Sequence, residues 1–151
     1  MPNDSTVFVD TNVLLYAFDD RLADKQEQAR RWLAWCWRTH RGRVSSQVVN
    51  EFYANALRKF TRTLPVDKAR AEVRRLWTWK AWPIDEETVQ GAWALQDRFS
   101  LSYWDALMLS AAHQLGCTFL LTEDLQHGQE IDGVQIVNPF LTGPELIEPS
   151  V

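Results

Sequence analysis

Four acidic side chains, Asp10, Glu51, Asp105 and Asp124, stand where carboxylates can act together. Asp10 follows directly on Thr6-Val7-Phe8-Val9, a β-branched and aromatic run that reads as a short buried strand. Asp124 stands three residues past a second such run, Phe119-Leu120-Leu121. In an open parallel sheet, ligands bind beyond the carboxyl ends of the strands, so these two acids are expected to converge on one sheet edge. A carboxylate against an apolar strand end is costly unless compensated, and a divalent cation does that. Hard oxygen donors select magnesium or manganese over zinc. Such an ion activates water and neutralises charge on a phosphate and its leaving oxygen, which is the chemistry of phosphodiester hydrolysis. Acids drawn together also repel one another, so at least one should titrate above the usual carboxylate range before a cation binds.

Each acid also has a purely structural reading. Asp10 or Thr11 can cap the helix that follows, and Asp124 can close an Asx-turn. Ser102-Tyr103-Trp104-Asp105 matches the capping-box pattern, although a helix N-terminus on the same sheet edge can present its carboxylate to the cleft as well. Glu51 by itself is an ordinary helix-surface glutamate. Its neighbours Asn55, Arg58 and Arg62 follow at spacings of four, three and four, which places all of them on one helix face running from acid to base. Along that face Arg58 and Arg62 either grip the phosphates of a chain leaving the site or are merely solvated. His40, His113 and His127 fall near a helix end, mid-helix and in a loop, and none is placed as a general base.

The elements that must position these groups alternate in type. A helix is expected from Arg21 to about Arg41, with Leu22, Ala29, Leu33 and Cys36 on its buried stripe and Gly42 as its stop. A very short strand beginning at Val44 leads to Ser45 and Ser46 as candidate N-caps. The next helix, from about Gln47 to Arg62, turns Val49, Phe52, Tyr53, Ala56 and Phe60 inward and is closed by Pro65. Another follows from Asp67 to Lys80. Trp82-Pro83-Ile84 reads as an edge strand, Asp85-Glu86-Glu87 as a helix N-terminus, and Ser102 as the start of a helix reaching Leu115 and ended by Gly116. Cys117 to Leu121 and Val134 to Val137 complete the strands. This alternation predicts an α/β sandwich around a mostly parallel sheet.

At 151 residues and 46% hydrophobic, the chain suits one domain with a single core. Cys36 and Cys117 lack zinc-ligand spacing and read as buried, reduced thiols. The opening Met1-Pro2-Asn3-Asp4-Ser5 has no basic n-region, and no apolar run nears the roughly 20 residues that span a bilayer, so a cytoplasmic protein with no membrane association is expected. The net charge of -4 hides a division: residues 21 to 80 carry 15 Lys and Arg against 5 Asp and Glu, whereas the remainder carries 1 against 15. A basic block beside a cluster of acids suits a polyanionic substrate.

Val7-Phe8-Val9-Asp10-Thr11-Asn12-Val13-Leu14-Leu15-Tyr16, Asn50-Glu51-Phe52, Tyr103-Trp104-Asp105-Ala106 and Leu121-Thr122-Glu123-Asp124 occur in the order of a PIN domain. The resemblance covers nearly the whole chain and is closest to the small bacterial VapC-type toxins, ribonucleases neutralised by a partner antitoxin. It implies a three-layer α/β/α sandwich spanning residues 1–151 as one PIN domain, with Asp10, Glu51, Asp105 and Asp124 in the family's acidic pocket. Asp10 and Asp105 would then be the principal metal ligands, with Thr11, Asn12 and Thr122 orienting carboxylates or water. The implied activity is a magnesium-dependent endoribonuclease, manganese substituting, that serves as the toxin of a type II toxin–antitoxin pair. The implied partners are RNA, a cognate antitoxin and a second copy of the chain in a homodimer.

Two other functions compete. An inactive PIN scaffold would hold RNA or a protein through the basic helices alone, a role against which four intact acids argue. A phosphatase of the haloacid dehalogenase type needs a second Asp two residues after the first, where this sequence has Asn12. Trp32, Trp35 and Trp37 cannot all face one core from the same helix, so although core packing is the fate expected for most, some should be exposed near Arg30, Arg31 and Arg38, to stack on RNA bases or anchor a protein. The resemblance to VapC-type toxins implies an apolar groove in this helical region for the antitoxin or a second copy.

Overall fold

The computed structural model describes residues 5–148, so the expectation drawn from the opening residues falls mostly outside it. In chain order the elements are β1 (Val7–Val9), α1 (Thr11–Tyr16), α2 (Ala23–Thr39), β2 (Gly42–Arg43), α3 (Ser46–Lys59) and α4 (Val66–Trp77). Then follow α5 (Glu86–Arg98), α6 (Tyr103–Gln114), β3 (Phe119–Leu121), β4 (Glu130–Ile131), β5 (Val134–Val137) and a 3₁₀ turn at Pro144–Leu146. The strands form one sheet in the order β2-β1-β3-β5-β4, parallel throughout except for β4 against β5. Helices flank this central sheet in an α/β/α sandwich, as the alternation of elements predicts.

The strands are short, two to four residues each. Val7, Phe8 and Val9 are all fully buried, the pattern of a strand covered on both faces. Around them pack Trp32 and Trp35 from α2, Phe52 from α3, and Leu107 and Leu109 from α6. Two of the three tryptophans of α2 are thus core residues, while Trp37 is half-buried against Trp79 at 4.7 Å between ring centroids. Cys36 and Cys117 are buried free thiols. Among the described residues, no helix is long and apolar enough to cross a membrane.

Several boundaries differ from the sequence reading, each for a local reason. Leu22 precedes α2 instead of joining its buried stripe and is 45% exposed. The helix α2 ends with His40 in the left-handed region at φ 60°, so Gly42 is not its stop. Gly42 lies in β2, where a Cβ would come within 2.8 Å of the Trp79 ring and 2.9 Å of Cys36 Cβ; close packing is what requires glycine there. The strand therefore begins two residues before Val44. Trp82-Pro83-Ile84 makes only a single bridge, Trp82 to Ser45, because α3 begins at Ser46 and the Ile84 N–H donates to the Ser46 hydroxyl at 3.1 Å instead of to a strand carbonyl. The short strand β4 was not anticipated; it reaches β5 through Asp132 (φ 51°) and Gly133 (φ 86°), a two-residue turn with both centres left-handed.

The helix α3 begins as expected, with the buried Ser45 hydroxyl accepting from the Val48 N–H at 3.3 Å. Ser45→Ala is expected to cost about 1 kcal/mol of stability by orphaning that donor. Urea unfolding checks it, and an unchanged midpoint would mean the cap is idle.

Candidate active site

The sheet order places the site. From β1 the chain crosses to β2 on one side, whereas β3 lies on the other, so β1 and β3 flank the topological switch point where parallel sheets bind ligands. Their register pairs Val9 with Leu121, and the ladder runs one step further: the Asp10 N–H donates to the Leu121 carbonyl at 3.1 Å. Asp10 and Thr122 therefore emerge together at the carboxyl end of the sheet, where the Thr122 hydroxyl donates to Asp10 Oδ2 at 2.8 Å. Asp10 is 2% exposed and Thr122 1%.

Asp10 fulfils its structural reading as well, since it is the N-cap of α1 and accepts from the Asn12 N–H at 3.4 Å. The next residue, Thr11, turns its hydroxyl to α3 and donates to Glu51 Oε1 at 2.9 Å. Glu51 is thus a tethered side chain facing the end of β1, not a free surface glutamate. On α6, Ser102 is the N-cap and accepts from the Asp105 N–H at 3.1 Å, which leaves the half-buried Asp105 carboxylate on the first turn. Asp124 is exposed on the loop after β3, its N–H donating to Thr122 Oγ1 at 3.1 Å. One threonine hydroxyl therefore ties Asp10 to the segment that carries Asp124.

The electrostatics couple these acids. Burial raises the Asp10 pKa to about 7; the Thr122 hydroxyl and the Asn12 N–H oppose this, while the charges of Asp124 and Asp105 add to it. Asp105 is also raised, by burial first, with Ser102 opposing and the charges of Asp124 and Glu51 adding. The four acids anticipated from the sequence thus share one electrostatic neighbourhood, with Asp10 at its buried end.

The donor chemistry fits a divalent cation. All candidate ligands are hard oxygens, and the buried Asp10 anion is the group that a cation would relieve. Among the described residues, however, no three His, Cys, Asp or Glu side chains are already gathered into a cage around one point. The threonine hydroxyls engage Asp10 and Glu51 separately. Thr122→Val is expected to raise the Asp10 carboxyl further and to weaken metal binding by about 10- to 100-fold, the usual effect of losing a partner that orients a ligand. Manganese titration calorimetry reads this, and parent-like affinity would show the hydroxyl to be dispensable.

Of the two arginines expected on the Glu51 face, only one is found there. Arg58 stays on the Glu51 face, donating to Asn55 Oδ1 at 2.6 Å while Asn55 donates to the Glu51 carbonyl at 2.8 Å. Because α3 ends at Lys59, Arg62 leaves that stripe and pairs with Asp20 at 2.6 Å.

A third group had no role assigned from the sequence. Glu123 accepts from the Tyr16 hydroxyl at 2.6 Å and from Lys25 Nζ at 2.8 Å, which pins the loop bearing Asp124 to α1 and α2. Partial burial works against the Glu123 anion, but the bonds from Lys25 and Tyr16 outweigh it and hold the carboxyl below its ordinary value. Its position beside Asp124 was the only sequence signal.

The comparisons with known proteins bear on the fold and the family. The PIN domain profile matches residues 7–129, from the first residue of β1 to the residue before β4. A sequence search among curated proteins finds no match. Among solved structures, the chain is similar to a toxin–antitoxin complex from Klebsiella pneumoniae, at 20% identity over 89% of this chain and 98% of that one, with a TM-score of 0.60. It is similar to Mycobacterium tuberculosis VapC20, a sarcin–ricin loop cleaving toxin, at 19% identity over 79% and 90% of the two chains, with a TM-score of 0.59. DNA-bound VapBC from Salmonella typhimurium matches at 16% identity over 87% and 96%, also with a TM-score of 0.59. At such identities these structures speak for the fold, and the profile speaks for the family. From the strand that delivers Asp10 to the loop that delivers Asp124, the chain belongs to the PIN domain family.

Proposed function

We propose that this chain is a magnesium-dependent endoribonuclease, with manganese able to substitute, and that it is the toxin of a type II toxin–antitoxin pair. The observation that carries the reading is Asp10: a carboxyl 2% exposed at the switch point of the sheet, destabilised as an anion and acted on by the charges of Asp105 and Asp124. Nucleases of the PIN family generally use divalent ions. Asp10 and Asp105 would be the principal ligands here, with Glu51 and Asp124 completing the acidic set. When bound, the ion supplies an activated water and neutralises charge on the phosphate and leaving oxygen.

The chain's own residues prepare that site. Thr122 and the Asn12 N–H fix the two oxygens of Asp10, and Thr11 fixes one oxygen of Glu51. Asp10 must shed its proton before it can ligate, so binding is expected to strengthen as pH rises through about 7. Arg58, exposed on the Glu51 face, is placed to take a phosphate of the RNA.

For the antitoxin, support comes from the similar structures being toxin–antitoxin proteins and from a cleft of about 240 Å³ between α1, α2, α3 and α4. Leu14, Leu33, Trp37 and Phe52 line it, with Arg30 and Arg75 among its polar residues. Arg75 lies over the Trp37 ring at 4.4 Å from its centroid. That is the region in which the resemblance to VapC-type toxins implies a groove. A homodimer is part of the same reading, and light scattering tests it.

Calorimetric titration with manganese and magnesium tests the metal site without any guess about substrate. Binding by the parent that Asp105→Asn weakens supports the nuclease. No binding by the parent, even with RNA present, would favour the inactive scaffold.

A further inference from the structure

Of the four acids, Asp124 is the one carried within a loop, where it is exposed and its N–H is tied to Thr122. The residue before it is held from two helices. Glu123 accepts from the Tyr16 hydroxyl of α1 with one carboxylate oxygen and from Lys25 of α2 with the other, at 2.6 and 2.8 Å. Lys25 is itself boxed in: its Nζ also donates to the Tyr16 hydroxyl at 3.4 Å, and it lies 4.9 Å from the Tyr16 ring centroid and 5.1 Å from that of Phe140. Phe140 meets Tyr16 edge-on, with ring centroids 5.0 Å apart. It belongs to the segment after β5, which α2 also grips where the Trp32 indole N–H donates to the Pro139 and Thr142 carbonyls at 3.2 and 3.0 Å. Stability does not account for this box. The Lys25 and Glu123 side chains are 38% and 21% exposed, and an ion pair that open to water contributes about 0–1 kcal/mol. What the box does fix is the place of Glu123, and with it the backbone from which Asp124 projects.

We propose that Lys25 is a positioning residue for the metal centre: through Glu123 it holds the loop so that the Asp124 carboxylate stands ready for a cation at the ends of β1 and β3. The inference rests on the metal-nuclease reading of the acids, but it is tested by metal binding and not by cleavage. A role through position can be told from a role through charge, because the two have opposite signs. Lys25 is a cation bonded to the neighbour of Asp124, so by charge alone its removal strengthens the binding of a metal ion. By position its removal weakens binding, since the freed loop must then be ordered at the metal's expense. A third role, gripping a phosphate of the RNA, is disfavoured by the engagement of the ammonium with Glu123 and two aromatic rings.

The experiment is calorimetric manganese titration of Lys25→Met, which keeps an unbranched apolar stem and loses the charge. Affinity is expected to fall about 10-fold, the low end for a lost partner that orients a ligand. Lys25→Arg, which can still bond Glu123, should retain most of the parent affinity, and Lys68→Met, at an exposed position on α4, all of it. In the Asp124→Asn background Lys25→Met is expected to have no further effect, because the ligand that it positions is gone. Circular dichroism verifies that each variant is folded. Parent-like or tighter manganese binding by Lys25→Met overturns the proposal, and if that variant also lowers the salt slope of RNA binding by about 1, Lys25 is a phosphate contact instead. A fall of equal size in the Asp124→Asn background overturns it too, since it marks a general loosening of the fold. A parent that binds no manganese removes the metal reading together with this role, whereas a parent and a Lys25→Met that bind equally well remove the role alone.

Discussion

Asp10→Asn is expected to lower metal-dependent RNA cleavage by at least about 100-fold, because it removes the ligand that the fold holds most firmly. Asp10 is fixed by the β1–β3 ladder at its N–H, by Thr122 at one carboxylate oxygen and by the Asn12 N–H at the other. An amide keeps the shape of the side chain and can still accept one of those bonds. Any loss of activity therefore reports on charge and ligation and not on packing. Cleavage assays at saturating manganese, with circular dichroism to show that the variant is folded, check it. A variant with parent-like rate would remove Asp10 from the reaction.

The same substitution should act in the opposite direction on stability when no metal is bound. In the folded chain Asp10 holds its proton up to about pH 7, whereas the unfolded chain releases it near the ordinary aspartate value of 3.8. Between those values the folded state binds more protons, so stability falls as pH rises through that window. Below about 3.8 the penalty is absent, and above about 7 it is complete. The gap sets an upper bound of about 4 kcal/mol, from which relaxation and the bonds lost in the amide subtract.

Metal-free Asp10→Asn is accordingly expected to be more stable than the parent by about 1–3 kcal/mol at pH 8, with little difference near pH 4. Excess magnesium should stabilise the parent and leave the variant nearly unmoved, reversing the order. Thermal unfolding at both pH values, with and without magnesium, reads all of this. A metal-free variant less stable than the parent at pH 8 would show that Asp10 is not destabilised as an anion.

What could be read in the sequence was what depends on neighbours along the chain. The apolar runs ending at Asp10 and shortly before Asp124 fixed where two acids emerge, and the Ser45, Asp85 and Ser102 caps fixed where three helices begin. The resemblance then supplied the grouping of four acids. Pairings across the fold were not legible, because nothing local encodes them. Thr11 meets Glu51 across 40 residues, Thr122 meets Asp10 across 112, and Lys25 meets Glu123 across 98. Gly42 looked like a helix stop because its neighbours permit one; its actual constraint is the Trp79 ring, 37 positions away in sequence. Arg62 fell off the predicted stripe for a similar reason, since α3 ends at Lys59 and Arg62 pairs with Asp20.

The most direct measurement is cleavage of a structured RNA containing unpaired loops by the purified chain, with magnesium, with manganese and with a chelator, using Asp10→Asn as the blank. Cleavage at defined internal positions that requires the metal, stops with the chelator and is absent from the blank is the predicted result. RNA left intact in both metals, or cut equally in the chelator and by the blank, would contradict a metal-dependent nuclease.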